Sequence, residues 1–387
     1  MKHCHVIIIG AGIGGLTAAL SLQRHGFRVS IYEQASELRE IGAGLLVTPN
    51  AMRALDYLGV GNAIATISNV SSEFHVRHYR TAEILQCRPD GDWYKSRYGA
   101  GSFQVHRADL HRTLSAAVLA NDAACIHLDR AFADLVQDES GVTARFGNGD
   151  IAKGDALIGC DGGRSTVRDR VHASAPAGYA GQVSFRALIP ADALPTDLRT
   201  QPACMHIGPG RIFVHFPLRK SSILNVVANA RQPRWEDEGW AIPARVAELR
   251  ELYADFHPQV LQIIDSIEPM ALFKWGLHDR EPLQQWTLGR VSMLGDAAHP
   301  MLPFLGQGAV MAIEDGTVLA RCFARACTPQ QALRLYEGAR KQRANAAQMS
   351  SRERGRALQG GDFEVPNPGR DAEDLGLFEY DPARAPI

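Results

Sequence analysis

The chain of 387 residues is long enough for two or three domains, and its 45% hydrophobic and 21% charged content matches ordinary globular usage, which excludes disordered, collagen-like and coiled-coil chains. A formal net charge of -1 lacks the basic footprint of a nucleic-acid binder. Seven cysteines without a C-x-x-C pair fit a reduced, cytoplasmic protein, and no stretch approaches the roughly 18 unbroken apolar residues of a membrane span.

Residues 6–9 are a β-branched run that predicts a buried parallel strand, residues 16–24 predict a helix closed by Gly26, and residues 29–33 predict a second strand. Between the first two stands Gly10-Ala11-Gly12-Ile13-Gly14-Gly15, a G-x-G-x-x-G turn in βαβ context. The pattern gives Gly10 the tight turn, Gly12 the close approach to a pyrophosphate and Gly15 the packing of helix on strand; Gly14 joins this set. The helix start offers free N–H groups to phosphate. Glu33 stands 21 residues after Gly12, where a carboxylate accepts ribose hydroxyls and repels a 2′-phosphate. The dinucleotide is therefore FAD or NAD rather than NADP, with Gln34 beside the acid as a further contact. The apolar start is read as this unit, not as a secretion signal.

Further along, Gly42-Ala43-Gly44-Leu45-Leu46 lets backbone lie against a flat ring, ahead of a helix at Pro49-Asn50. A helix opens at Arg107 and runs to about residue 119. Residues 124–128, 132–137 and 142–146 predict a meander, turning at Gly147-Asn148-Gly149. From 178 to 269 the texture changes to longer strands, 183–189, 212–216 and 223–228, then a helix over 243–256. Alternation puts Phe213 and His215 on one strand face and Val214 and Phe216 on the other. Asp296 follows a strand-like run at 290–294, at the carboxyl end where open α/β sheets bind ligands. Residues 329–358 predict a solvated, arginine-rich helix, and 360–387 an extended tail.

Asp155, Gly159, Asp161, Gly162, Ser165, Val167 and Arg168 resemble the D-G fingerprint of single-component flavoprotein hydroxylases. Leu294-Gly295-Asp296-Ala297-Ala298-His299-Pro300, with Pro303 and Gly308, resembles their second flavin fingerprint. Three motifs in the family's order cover residue 6 to about 315. The resemblance implies an α/β fold with α+β elements: a Rossmann-like FAD-binding domain from 1–175 and 280–328, a β-sheet substrate domain over the flavin at 176–279, and a C-terminal helix and tail at 329–387. It implies non-covalent FAD, with NADH or NADPH as a transient co-substrate because no second dinucleotide fingerprint is present. One atom of O2 then goes to a small aromatic substrate. Arg107 and Asp296 are implied to reach the flavin's phosphate and ribitol, Ala131 the adenine, and Gly306, Gly308, Ala309 and Val310 the ring. A dipole end there would stabilise negative charge on the reduced ring.

Within the resemblance, salicylate hydroxylases and 6-hydroxynicotinate monooxygenases are similar at 275–286 and at Phe378-Glu379-Tyr380-Asp381-Pro382. Leu46 and Phe304 depart from them, each standing where a histidine is found. Pro303 and Phe304 are expected at the substrate, and His299 is expected to tie its loop together rather than to react. His215 is the remaining imidazole, expected to hold the substrate's polar group and receive a phenolic proton; Arg186 and Lys274 are the alternatives for an anionic substrate. Trp240-Ala241-Ile242-Pro243 supplies half of a halogenase W-x-W-x-I-P motif and is read as a helix start. A non-catalytic flavin-bearing sensor or scaffold is the alternative class, and the Pro303-to-Gly308 loop, which gives access to the ring, favours the enzyme.

Overall fold

The N-terminal β-branched run lies at the heart of a six-stranded sheet. The computed structural model describes residues 4–38, 43–89, 91–172, 175–236, 239, 241–359 and 371–387. It orders this sheet Thr287–Leu288, Val291–Met293, Ala156–Gly159, His5–Ile9, Arg28–Tyr32 and Ile126–His127. Every neighbouring pair is parallel except the first. Covered on both faces, the strand's Val6, Ile7, Ile8 and Ile9 are apolar and buried without alternation. Parallel pairing also brings the residues after Ile9, Tyr32, Gly159 and Met293 to one carboxyl edge, where such sheets bind ligands.

Helices Ile13–Arg24 and Gly308–Arg325 pack together on one face: a Cβ on Gly14 would lie 2.8 Å from Leu294 and 3.2 Å from Ala312. The other face carries a three-stranded sheet, Phe132–Gln137, Val142–Phe146 and Ile151–Gly154, through a core of Ile7, Ile9, Leu157, Ala144 and Phe146. The predicted meander is thus corrected at its start. Residues 126–127 join the parallel sheet instead, because Ile126 and His127 pair with Ile31 and Tyr32.

The longer strands build a second sheet of eight, ordered Ile242–Pro243, Phe273–Asp279, Gly178–Pro190, Ile223–Arg231, Arg211–Leu218, Ala203–Gly208, Glu73–His78 and Ile84–Pro89. One face packs Val183, Phe185, Phe213 and Val226 under Leu249, Tyr253, Phe256 and Ile264. The opposite face, here the cleft face, meets a small antiparallel pair, Gly44–Val47 with Phe103–His106: Asn225 Oδ1 accepts the Gly44 N–H at 2.7 Å, and a Cβ on Gly44 would fall 2.5 Å from the Phe216 ring. Two strands, Glu73–His78 and Ile84–Pro89, come from outside 176–279, so this sheet is not confined to that segment. Ile242–Pro243 is an edge strand, where proline costs no ladder bond, and the helix expected from 243 runs only from Val246–Leu252.

Two C-terminal expectations are corrected. Helix Pro329–Gln359 is not simply a solvated surface helix, since Arg340 is fully buried and paired with Glu314 and Asp315. Residues 371–387 do not extend away: Leu377 and Phe378 are buried, and Arg53 Nη1 donates to the carbonyls of Phe378 and Tyr380 at 2.8 and 2.9 Å. The tail's first part, 360–370, lies outside the described residues, as do Gly42, Glu238 and Trp240.

Candidate functional site

At the first turn, Gly10 takes φ +101°, and a Cβ there would lie 2.5 Å from the Cys160 carbonyl oxygen. A Cβ on Gly15 would fall 2.0 Å from the Gly10 oxygen, while one on Gly12 would meet nothing within 4 Å. Gly12 therefore faces open space, at the start of a helix with no side-chain cap and no acid in its first turn. Such an end presents bare N–H groups and a positive dipole to an anion. Glu33 stands at its rim, its Oε2 accepting the Ala11 N–H at 2.8 Å and its Oε1 the Ala35 N–H at 2.9 Å. The Arg130 N–H donates to the Glu33 carbonyl at 2.8 Å, which brings Glu33, the exposed Gln34 and the exposed Ala131 to one margin. His111, which the sequence did not mark, fixes the turn from below by a 2.8 Å bond from Nε2 to the Ala11 carbonyl.

Asp296 sits at the same sheet edge in the turn Gly295–Ala297. Its side chain opens to solvent but is walled in by protein. Burial pushes its carboxyl pKa up, opposed by His299, Arg107 and Arg168. A Cβ on Gly308 would lie 3.8 Å from Asp296 Oδ1, and one on Gly306 3.8 Å from the Leu46 side chain. Helix Gly308–Arg325 starts there without a side-chain cap, so the N–H groups of Gly308, Ala309 and Val310 form a second open helix end. Beneath it, buried Gln307 bonds to Thr48 Oγ1 at 3.3 Å, and Asn50 donates to Glu314 at 2.6 Å. Arg168 links the two fingerprints, donating to the carbonyls of Ala297 at 3.1 Å and Gly163 at 2.8 Å.

Two expected roles change, those of Gly14 and Asp161. Gly14 is a packing position between two helices, as its distances to Leu294 and Ala312 show. Asp161 commits its carboxylate to the helix Thr166–Val171, accepting from Ser165 Oγ at 2.6 Å and the Val167 N–H at 3.0 Å; what it offers the turn is backbone, beside Gly10. His299 is buried on Asp315 Oδ2 at 2.6 Å, and the same oxygen accepts the Gly295 N–H at 3.1 Å. Its role is to hold the loop.

His215 is the main correction. It pairs with Val226 and Cys204 across neighbouring strands, and shares its face with Phe213, under the helices. Val214 and Phe216, its alternates, face the cleft: Phe216 meets Gly44 and Val214 packs near Phe304. Burial, then Arg77, pushes the His215 pKa down to about 4, so it is a poor acceptor for a phenolic proton from any position. Strand alternation gave the two faces correctly; which one meets the cleft depends on contacts with Gly44 and Phe304, far away in sequence. Lys274 shares the helix-covered face and is paired with Glu248 at 2.6 Å.

Replacing His215 by Leu removes two buried ring nitrogens without partners. The expected result is a stability gain of about 1–3 kcal/mol by denaturant titration, with cofactor content and turnover unchanged. The pH dependence should change as well. The unfolded imidazole titrates near 6.5 and the folded one at about 4. The unfolded chain then binds more protons below pH 6.5, so stability falls as pH drops from about 6.5 to 4, by about 3 kcal/mol for this group. The His215→Leu protein should lack that part of the fall; loss of turnover in it would return His215 to the active site.

Arg186 lies on the cleft face. Its rung runs Phe273, Arg186, Val227, Val214, Met205, Val76, beside the rung that holds Asn225 against Gly44. Among the described residues no carboxylate pairs with it. Its Nε bonds to Ser184 Oγ at 3.2 Å, its guanidinium lies 5.6 Å from the Trp275 ring centroid, and burial pushes its pKa down to about 10. Phe304, in the short turn Pro303–Leu305, packs against the cluster of Val76, Met205, Ile207, Ile212 and Leu358, which Val214 also joins, and Gly355 leaves room for its ring. Asn225 was not singled out from the sequence, although it lies within the predicted strand 223–228.

A glycine turn open to an anion, an acid at its rim and a second acid beside a second open helix end fit a dinucleotide that also carries a polyol and a flat ring. That is the site of a flavoprotein. The FAD binding domain family matches residues 3–351. A 3-hydroxybenzoate 6-hydroxylase of Polaromonas naphthalenivorans (strain CJ2) is 36% identical over 355 residues, 91% of this chain and 87% of the relative. A 6-hydroxynicotinate 3-monooxygenase of Pseudomonas fluorescens is 33% identical over 351 residues, 89% of this chain and 90% of the relative. The crystal structure of Klebsiella pneumoniae HpxO with FAD and uric acid superposes with TM-score 0.85 at 27% identity, covering 98% of this chain and 93% of that one. The chain belongs to the FAD binding domain family and is an FAD-dependent aromatic hydroxylase.

Glu33→Ala is expected to weaken FAD retention by about 1.5–3 kcal/mol, the loss of hydrogen bonds to a charged acceptor, while the chain stays folded. Dialysis followed by flavin absorbance measures it. Unchanged retention would place the ribose elsewhere.

Proposed function

We propose that the enzyme hydroxylates a small aromatic ring bearing a carboxylate and an electron-donating hydroxyl group, using O2 and NADH or NADPH. Arg186 carries this reading: a half-buried guanidinium without a carboxylate partner among the described residues, set beside Phe273, Val227, Val214, Met205 and Val76 on the cleft face. Such a group recovers its desolvation cost only with an anion. The relatives named for 3-hydroxybenzoate and 6-hydroxynicotinate act on hydroxylated rings that carry a carboxylate, which supports the same substrate class.

In this reading Arg186 takes the carboxylate, and Met205, Val214, Phe304 and Pro303 wall the ring and exclude water. Bound FAD would supply the redox chemistry, taking electrons from the nicotinamide and activating O2. Glu33, Arg107 and Asp296 would hold it, with Gly306 and Gly308 close to its ring. Residues 1–175 and 280–328 would form the FAD-binding part, and 176–279, joined by Glu73–His78 and Ile84–Pro89, the substrate part. A cytoplasmic setting fits the seven free cysteines, and no helix among the described residues is long and apolar enough to cross a membrane.

Arg186→Gln tests the proposal. With a charge-assisted bond worth about 1.5–3 kcal/mol, KM for a hydroxybenzoate should rise roughly 10- to 150-fold. FAD content should stay constant and more NADH should end as hydrogen peroxide. The same change should leave KM unaltered for a phenol without a carboxylate. An unchanged KM for both would remove Arg186 from the substrate.

A further inference from the structure

The helix-covered face of the eight-stranded sheet holds a feature that aromatic hydroxylation does not use. One rung, read across four neighbouring strands, is Cys87, His75, Cys204, His215. Cysteine and histidine alternate along it from the exposed sheet edge into the core. His206, two residues from Cys204, closes the inner end: the ligand atoms of Cys204, His206 and His215 lie within 4.8 Å of one another, and all three residues are buried. The His206 and His215 rings stack at 5.7 Å and 26°, and His206 Nδ1 and both nitrogens of His215 have no hydrogen-bond partner. Buried imidazole nitrogens are costly to leave bare, and three of them around one thiol need an explanation. At the outer end, the ligand atoms of Glu73, His75 and Cys87 also lie within 4.8 Å of one another, with Glu73 and Cys87 exposed.

We propose that Cys204, His206 and His215 bind a monovalent soft metal ion, Cu(I), which enters by way of Glu73, His75 and Cys87. Thiolate and imidazole are ligands for soft and borderline ions. The choice between these follows from number and charge. Three protein ligands satisfy Cu(I), whereas structural zinc takes four. Arg77, the cross-strand partner of His206, donates to His75 Nδ1 at 3.1 Å and adds a positive charge nearby. One thiolate neutralises a monovalent ion; a divalent ion would leave a net positive charge beside Arg77. Binding forms a Cu–Sγ bond as the thiol loses its proton to solvent, and copper stays Cu(I), so no electron changes hands. Bringing the ligand atoms from within 4.8 Å to metal bonds of about 2.0–2.3 Å asks for side-chain adjustment only.

The test is an anaerobic titration of the FAD-loaded enzyme with Cu(I) against bicinchoninate, in a Cys327→Ser background that removes the other exposed thiol. One tightly held Cu(I) per chain is expected. Cys204→Ala and His215→Leu should each lose it with FAD content unchanged, and Cys87→Ser should slow loading while leaving the final stoichiometry intact. X-ray absorption on the loaded protein should show one sulfur and two nitrogen neighbours. Absence of tight Cu(I), or its full retention in both Cys204→Ala and His215→Leu, overturns the site. Loading at an unchanged rate in Cys87→Ser overturns the route.

Discussion

Gly15→Ala should yield a chain that fails to hold FAD and loses much of its stability. The added methyl would fall 2.0 Å from the Gly10 carbonyl oxygen, and 3.3 Å from the Ile8 side chain. The closer neighbour is backbone of the tight turn, fixed in turn by Gly10 at φ +101° against Cys160. Helix Ile13–Arg24 must therefore lift from strand His5–Ile9, with a cost of about 3 kcal/mol or more. Gly12→Ala is the matched control, since its Cβ would meet nothing within 4 Å of protein. That variant should melt normally yet bind FAD less well, because the methyl enters the space expected for the pyrophosphate. Melting curves and flavin absorbance of the two proteins separate the roles. Normal melting and normal FAD content in Gly15→Ala would contradict this close packing of helix on strand.

Asp315→Ala should be the most damaging change away from the cofactor itself. Asp315 accepts from His299 at 2.6 Å and from Arg340 Nε at 2.7 Å, and all three side chains are fully buried. Burial alone would raise the Asp315 pKa, but His299 and Arg340 outweigh it and hold the group at about 2. Removing the carboxylate leaves Arg340 one carboxylate partner, Glu314, which Arg343 already pairs, and frees the loop that carries Asp296. Breaking one side of such a buried pair costs about 3–5 kcal/mol. Removing both charges in Asp315→Leu with Arg340→Leu should be milder, because the uncompensated cation is gone. Denaturant midpoints read both effects, and FAD affinity should fall with the loop. A loss below about 1 kcal/mol in Asp315→Ala would show the network to be slack.

The parts of this enzyme legible in the sequence were those encoded over short distances. The glycine turn, Glu33 and the strand before it lie within thirty residues, and their spacing alone specifies the βαβ unit. Asp296 and the Gly306–Gly308 segment were found by motif, and the sheet explains why they matter: parallel strands deliver them to the same edge as Glu33. Long-range pairing was not legible. Nothing local says that residues 73–89 complete a sheet built mostly from residues 178–279, or that Ile126 pairs with Ile31. The same gap misplaced His215, since periodicity yields two faces without naming the one that meets the cleft. Arg340 was read as solvated because an arginine-rich helix usually is; its burial depends on Glu314 and Asp315 reaching it from another helix.

The most direct measurement supplies the FAD-loaded protein with NADH, a hydroxybenzoate and 18O2, and follows NADH consumption, hydrogen peroxide and the mass of the product together. The expected result is substrate-stimulated NADH oxidation and a ring hydroxylated with one 18O atom, with peroxide accounting for only the uncoupled remainder. Product oxygen derived from water, or complete recovery of the NADH electrons as peroxide with every aromatic carboxylate tried, would contradict it.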